Sequence, residues 1–94
     1  MSEVSVTHEP EQQRYEAHRQ GELAGVAQYR LEGDLVVFTH TQVEPAHEGQ
    51  GIGSTLAQAA LDEVREAGER KVRADCAFIA SWIDKHPDYA DLLA

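Results

Sequence analysis

The sequence is short of cysteine, of positive charge and of long apolar runs, and each shortage closes off a class of protein. A single cysteine, Cys76, makes neither an internal disulfide nor a thiolate metal cage, so no staple of either kind holds the fold. Only 8 basic residues stand against 17 acidic ones, and the formal charge of −9 repels nucleic acid and anionic membrane surfaces at long range. Binding to either is disfavoured. No apolar stretch approaches the roughly 18 residues needed to cross a bilayer, and Met1 to Pro10 has neither a basic start nor the apolar segment of a signal peptide. The expectation is a soluble, cytoplasmic protein. Repeats, low-complexity tracts and linkers are also missing, so the 94 residues, 41% of them hydrophobic, read as one compact domain, 1–94, with a modest core.

What is present is alternation, then a glycine loop, then helical periodicity. Val4, Val6 and His8 alternate with small polar residues before Glu9-Pro10, which suggests a short extension or a frayed end over residues 1–10. Gln13, Tyr15 and Ala17 read as a strand. Leu23, Gly25, Ala27, Tyr29 and Leu31 share one face of a second, and Glu32-Gly33-Asp34 is a tight turn into a third. That third strand places Leu35, Val37, Thr39, Thr41 and Val43 on one face and Val36, Phe38, His40 and Gln42 on the other. Three antiparallel strands in meander order form the expected first half.

In the second half Ile52, Leu56, Ala59, Ala60, Val64 and Ala67 recur at three- and four-residue spacing, an amphipathic helix that Gly68 is placed to end. Val72, Ala74 and Cys76 alternate in a short strand, and a strand–helix–strand crossover makes it parallel to the strand before the helix. Ala77 to Lys85 reads as a second helix with Phe78 and Trp82 in the core, stopped by Pro87. The expected fold class is α+β, about five strands and two helices.

Between the third strand and the first helix lies Glu44-Pro45-Ala46-His47-Glu48-Gly49-Gln50-Gly51-Ile52-Gly53-Ser54. Glycines at every second position ahead of a helix start leave backbone N–H groups uncovered, a ready anion site. A P-loop needs Lys and then Ser or Thr after its last glycine, whereas Gly53 is followed by Ser54-Thr55. The dinucleotide fingerprint needs G-x-G-x-x-G, whereas the spacing here is G-x-G-x-G. Neither motif applies.

The loop resembles the pyrophosphate-binding segment of the GNAT superfamily of CoA-dependent acyltransferases, R/Q-x-x-G-x-G/A between a strand and a helix. With His40-Thr41-Gln42-Val43, Cys76-Ala77-Phe78 and His86-Pro87-Asp88-Tyr89, it is similar to the small single-domain, YjdJ-type branch from about Tyr15 to Leu93. The resemblance implies acetyl-CoA as cofactor, with Gly49, Gln50, Gly51, Ile52, Gly53 and Ser54 on its pyrophosphate, Glu48 beside it and Val43 against its pantetheine arm. Glu48 departs from the pattern, placing a carboxylate where Arg or Gln is usual.

Acetyl transfer to an amine needs a deprotonated nucleophile and a proton for the leaving thiolate. Many GNAT enzymes take that proton from a tyrosine in the helix after the last parallel strand, but here that region reads Trp82-Ile83-Asp84, with no tyrosine before Tyr89. Cys76, at a strand end and a helix start, is the alternative, as acyl-accepting nucleophile or as proton donor; its bland reading is a small buried hydrophobe. His40 is a candidate base on the strand that should line the cleft, against the commoner hydrogen-bonded structural histidine. His8, His18, His47 and His86 lack ligand spacing, so no metal is expected. The reading is an acetyl-CoA-binding protein that acetylates an amine of a small molecule or protein, as a monomer or weak homodimer. The alternative is a non-catalytic CoA-binding or protein-interaction module of the same fold.

Overall fold

A computed structural model describes residues 4–94. The strands are β1 (Val4–Glu9), β2 (Arg14–Arg19), β3 (Glu22–Glu32), β4 (Leu35–Val43) and β5 (Lys71–Ala74), and the helices are α1 (Ile52–Ala67) and α2 (Ala77–Lys85). All five strands form one sheet in sequential order, antiparallel except for the parallel β4–β5 pair. The α+β class and the crossover through α1 are as the periodicity predicts. The first alternation differs from its expectation: Val4–Glu9 is a full strand, paired with β2 from Val4↔Arg19 to Glu9↔Arg14. The meander therefore has four strands, and the expectation for Met1 to Glu3 lies outside the described residues. Each proline opens a 3-10 turn, at Pro10–Gln12, Pro45–His47 and Pro87–Leu92, because its fixed φ suits a first helical position and its missing N–H has no partner to lose there.

A bulge in β4 corrects the expected facing of its residues. The pairing with β3 runs Ala27↔Thr41 and Gln28↔His40, then slips to Tyr29↔Phe38, so Thr39 is the extra residue, its hydroxyl donating to the Gln28 carbonyl at 3.3 Å. One inserted residue reverses the alternation beyond it. Val36 and Phe38 before the bulge, and Thr41 and Val43 after it, all face the helices, while His40 and Gln42 turn to the opposite face.

Both helices pack on one face of the sheet. Ile52, Leu56, Ala60 and Val64 of α1 and Ile79, Trp82 and Ile83 of α2 join Tyr15, Ala27, Tyr29, Phe38 and Val72 in a single core. The two helices are tied by the Trp82 indole N–H, which donates to Ser54 Oγ at 2.9 Å. On the other face no helix lies over the sheet among the described residues, yet Val37 is fully buried. Its register neighbours are Arg30 and Arg73, whose guanidinium groups pair with Glu32 and Asp75 over β4, Arg73 to Asp75 at 3.1 Å and to Glu32 at 3.6 Å. The aliphatic stems of the two arginines cover the valine while their charges stay in water.

The closest approach of sheet to helix is at Gly25, where a Cβ would lie 2.8 Å from the Gln42 carbonyl oxygen and 3.0 Å from Ile52 Cγ2. Gly25→Ala is expected to cost about 1–3 kcal/mol by overpacking, because the nearest atom is backbone of a paired strand. A urea midpoint lowered at unchanged m checks it, and an unmoved midpoint would contradict the tight approach. The hydrogen bond from Arg73 holds the Asp75 carboxyl below its ordinary pKa. With a lowered native pKa, the stabilisation is present above the unfolded carboxyl value of about 3.9 and is lost as pH falls. Asp75→Asn should therefore be slightly less stable at neutral pH, and the gap to the native protein should close below about pH 4 in thermal melts.

Candidate functional site

Strands β4 and β5 run side by side only as far as Phe38↔Ala74. There the Phe38 carbonyl accepts two amides, Asp75 N–H at 3.0 Å and Cys76 N–H at 2.9 Å, and the chain turns away into α2. β4 continues to Val43, so the stretch Thr39–Val43 has lost its β5 neighbour and presents a row of main-chain groups along that side. Val43 pairs with Gly25 on its other side and packs at the edge of the core.

The glycine loop leads from this open strand end into α1. Gly49 and Gly51 take left-handed conformations, φ 82° and 74°, which glycine adopts without steric cost. Gly51 is the N-cap of α1, and the first amide bonded back is that of Thr55, to the Gly51 carbonyl at 3.0 Å. The N–H groups of Ile52, Gly53 and Ser54 thus belong to the helix start that has no intrahelical acceptors. Their position adds the positive end of a 16-residue helix dipole. The Glu48 N–H differs, since it is directed back at the Pro45 carbonyl, 3.4 Å away, and the Glu48 side chain is exposed. The Ser54 hydroxyl accepts from the Trp82 indole N–H, which leaves both its own O–H and the Ser54 amide as donors.

Gly53 has a different reason for lacking a side chain. A Cβ there would sit 2.7 Å from the Phe78 ring. Phe78, expected in the core at helical spacing with Trp82, is 43% exposed and lies over the helix start. Trp82 is buried as expected, stacked at 3.8 Å on His86.

Cys76 is the N-cap residue of α2 and is buried. Its side chain makes no capping bond. Instead the thiol points across the splay to Thr41 Oγ1, 3.4 Å away. Thr41 was not among the expected site residues, because only the bulge at Thr39 brings it to the face of Cys76. The same bulge sends His40 to the opposite face, exposed and opposite Gln28, so Cys76 and His40 do not meet. Tyr89 is held elsewhere: its hydroxyl donates to Asp62 Oδ1 of α1 at 2.7 Å, and that bond, with burial and the nearby carboxylates, raises its pKa. His47, in the turn before the loop, is buried with Nε2 3.3 Å from Glu22 Oε1.

Comparison with known proteins bears on the family and the fold. Protein NATD1 of Mus musculus is 30% identical over 86 residues, 89% of this chain and 77% of that protein. Protein NATD1 of Gallus gallus is 38% identical over 53 residues, 56% of this chain, and there the chain spans about half, 47%, of its relative. Among solved structures, a GCN5-like chain of Staphylococcus aureus superposes with a TM-score of 0.74 at 23% identity, covering 100% of this chain and 91% of that one. The ribosomal-protein-S18-alanine N-acetyltransferase of Escherichia coli gives 0.64 at 18% identity, over 92% of this chain and 53% of that enzyme. These two establish the shared fold. A family model described as GCN5-related N-acetyl-transferase matches residues 14–92, and the chain belongs to that family.

Proposed function

We propose that the chain binds acetyl-CoA along the parted end of β4 and transfers the acetyl group to an amine. The observation that carries this reading is continuity. The open backbone of Thr39–Val43 runs directly into the left-handed glycines and the free amides of the α1 start, so an extended amide chain ending in a pyrophosphate fits one uninterrupted surface. Bound there, acetyl-CoA supplies an activated thioester. The amides of Gly49, Gln50, Gly51, Ile52, Gly53 and Ser54 hold the pyrophosphate, and Val43 meets the pantetheine. Glu48 turns its carboxylate to solvent and its amide to Pro45, so it flanks the anion without donating to it. Phe78 covers the same end with an exposed ring.

In this reading an acceptor amine forms the new C–N bond at the thioester carbonyl as the C–S bond breaks, and the leaving sulfur needs a proton. Cys76 is placed to give one. It lies at the base of the splay with Thr41 beside it, and solvent returns the proton as the amine loses its own. Burial favours this role over that of an acyl carrier, which must be reached by both substrates. His40, on the far face, has no part in the transfer.

Two measurements test the proposal. Calorimetric titration with CoA should give saturable binding that Gly51→Ala weakens about tenfold or more, since a Cβ strains the left-handed cap; absence of binding at millimolar CoA would exclude both the enzyme and the CoA-module readings. Cys76→Ala should lower kcat for thiol release from acetyl-CoA at least about tenfold with little change in KM for acetyl-CoA, while His40→Gln leaves the pH–rate profile in place. An unchanged kcat in Cys76→Ala removes the thiol from the chemistry, and no turnover across a panel of amines leaves a CoA-binding module.

A further inference from the structure

A well-formed cavity lies away from the glycine loop. A cleft of about 400 Å³ opens between β1–β3 and the C-terminal half of α1, near the start of β4. The 16 residues of α1 span about 24 Å at 1.5 Å per residue, and the loop sits at one end while the cleft sits at the other. The cleft is therefore separate from the surface proposed for acetyl-CoA.

Its chemistry is lopsided. Leu31, Val36, Val64 and Ala67 supply apolar walls. The polar groups at one end mostly satisfy one another. His8 Nδ1 is 2.9 Å from Glu63 Oε2, and His8 Nε2 is 2.5 Å from the Tyr29 hydroxyl. His8 also stacks on Tyr15 at 4.2 Å, and burial followed by the Glu63 charge pushes the Tyr15 pKa up. Neither ring nitrogen of His8 is left to seek a ligand.

Arg70 is the exception. It lines the cleft, and its Nε is buried with no hydrogen-bond partner. Its nearest carboxylate, Glu69, is 3.9 Å away, too long for a hydrogen bond. Tyr29 lines the same cleft, and its pKa is raised by burial and by Glu63, with the Arg70 charge working against that rise. The Nε is closed off from solvent, so a ligand in the cleft meets the exposed terminal nitrogens of the guanidinium, and a planar carboxylate is the group whose geometry matches them.

We propose that this cleft binds a small monocarboxylate with an aryl or short alkyl body, the carboxylate on Arg70 and the body against Leu31, Val36, Val64 and Ala67. The volume lies at the small end of the roughly 300–1,000 Å³ of ligand sites. Arg70 is the one Lys or Arg on the lining and Glu63 and Glu69 flank it, so the cleft offers at most one cationic anchor and disfavours a polyanion such as CoA. The inference stands on the cleft alone and does not depend on acetyl transfer.

Phenylacetate is a suitable probe, with phenylacetamide and phenethylamine as its neutral and cationic counterparts. Titrated at millimolar concentration into the native protein and followed by amide chemical shifts, phenylacetate should produce saturable changes at Tyr29, Leu31, Val36, Val64 and Ala67 and leave Gly49 to Gly53 unmoved. The amide and the amine should bind at least tenfold more weakly. Arg70→Gln, at a residue whose side chain is 38% exposed, should keep the fold, weaken phenylacetate about tenfold and abolish its preference over the amide. No saturable shift with phenylacetate, equal binding by the variant, or preference for the amine overturns the proposal.

Discussion

The carbonyl of Phe38 is the point on which the functional half of the molecule depends. By accepting from both Asp75 and Cys76 it ends the parallel pairing and directs the chain off the sheet into α2. Phe38 itself is fully buried and packs edge-on to Tyr29, so the carbonyl is anchored from the core rather than from a loop. Everything beyond it on β4 is left with one strand neighbour instead of two. A central strand that loses a partner midway is ordinarily a liability, since its free edge invites another chain. Here the free edge leads into a helix start with uncovered amides, so the two unsatisfied backbone surfaces are continuous.

The bulge one residue later decides which side chains meet there. Without Thr39 as an extra residue, strict alternation would carry His40 to the helix face and Thr41 to the open face. With it, Thr41 faces Cys76 and His40 faces water. Gly25 belongs to the same arrangement: opposite Val43 and against Ile52, it lets α1 come down onto the strand end at a distance no side chain permits. The splay, the bulge and this close approach lie within a few residues of one another, and together they fix where the start of α1 sits relative to β4.

Element type was readable from residue order because periodicity of two and of 3.6 reports directly on burial. Leu35 to Val43, Ile52 to Ala67 and Ala77 to Lys85 follow from it, and so does the parallel crossover. Facing was not readable past Thr39, because a single inserted residue leaves no mark in composition and a threonine suits a strand with or without a bulge. Phe78 was misplaced for a related reason. Helical spacing put it with Trp82, but it lies in the first turn of α2, where the helix overhangs the α1 start instead of the core. The first strand was underestimated because its partners on α1, notably Glu63 against His8, are contacts across more than fifty residues of sequence. The uncovered amides ahead of α1 were legible because glycine at alternate positions before a helix leaves the backbone bare, whereas the commitment of the Glu48 amide to Pro45 depends on a 3-10 turn that spacing alone does not reveal.

The charge balance explains why recognition at such a site falls to the backbone. Most of the basic side chains are occupied with structure: Arg14 with Glu16, Arg30 and Arg73 with Glu32 and Asp75, Arg65 with Asp91, and Lys71 with the Asp91 carbonyl. These pairs brace the open sheet face and pin the C-terminal turn to α1. They lie on the sheet or on the C-terminal half of α1, not at its start. In a chain of net charge −9, an anion approaching the α1 start meets repulsion at long range and attraction only at contact, from oriented amides worth roughly half an elementary charge. Such a site discriminates by shape before charge. Under the proposed reading, a ligand with an extended arm to lay along Thr39–Val43 would be favoured over a bare phosphate, because the arm contributes the contacts that long-range electrostatics withholds.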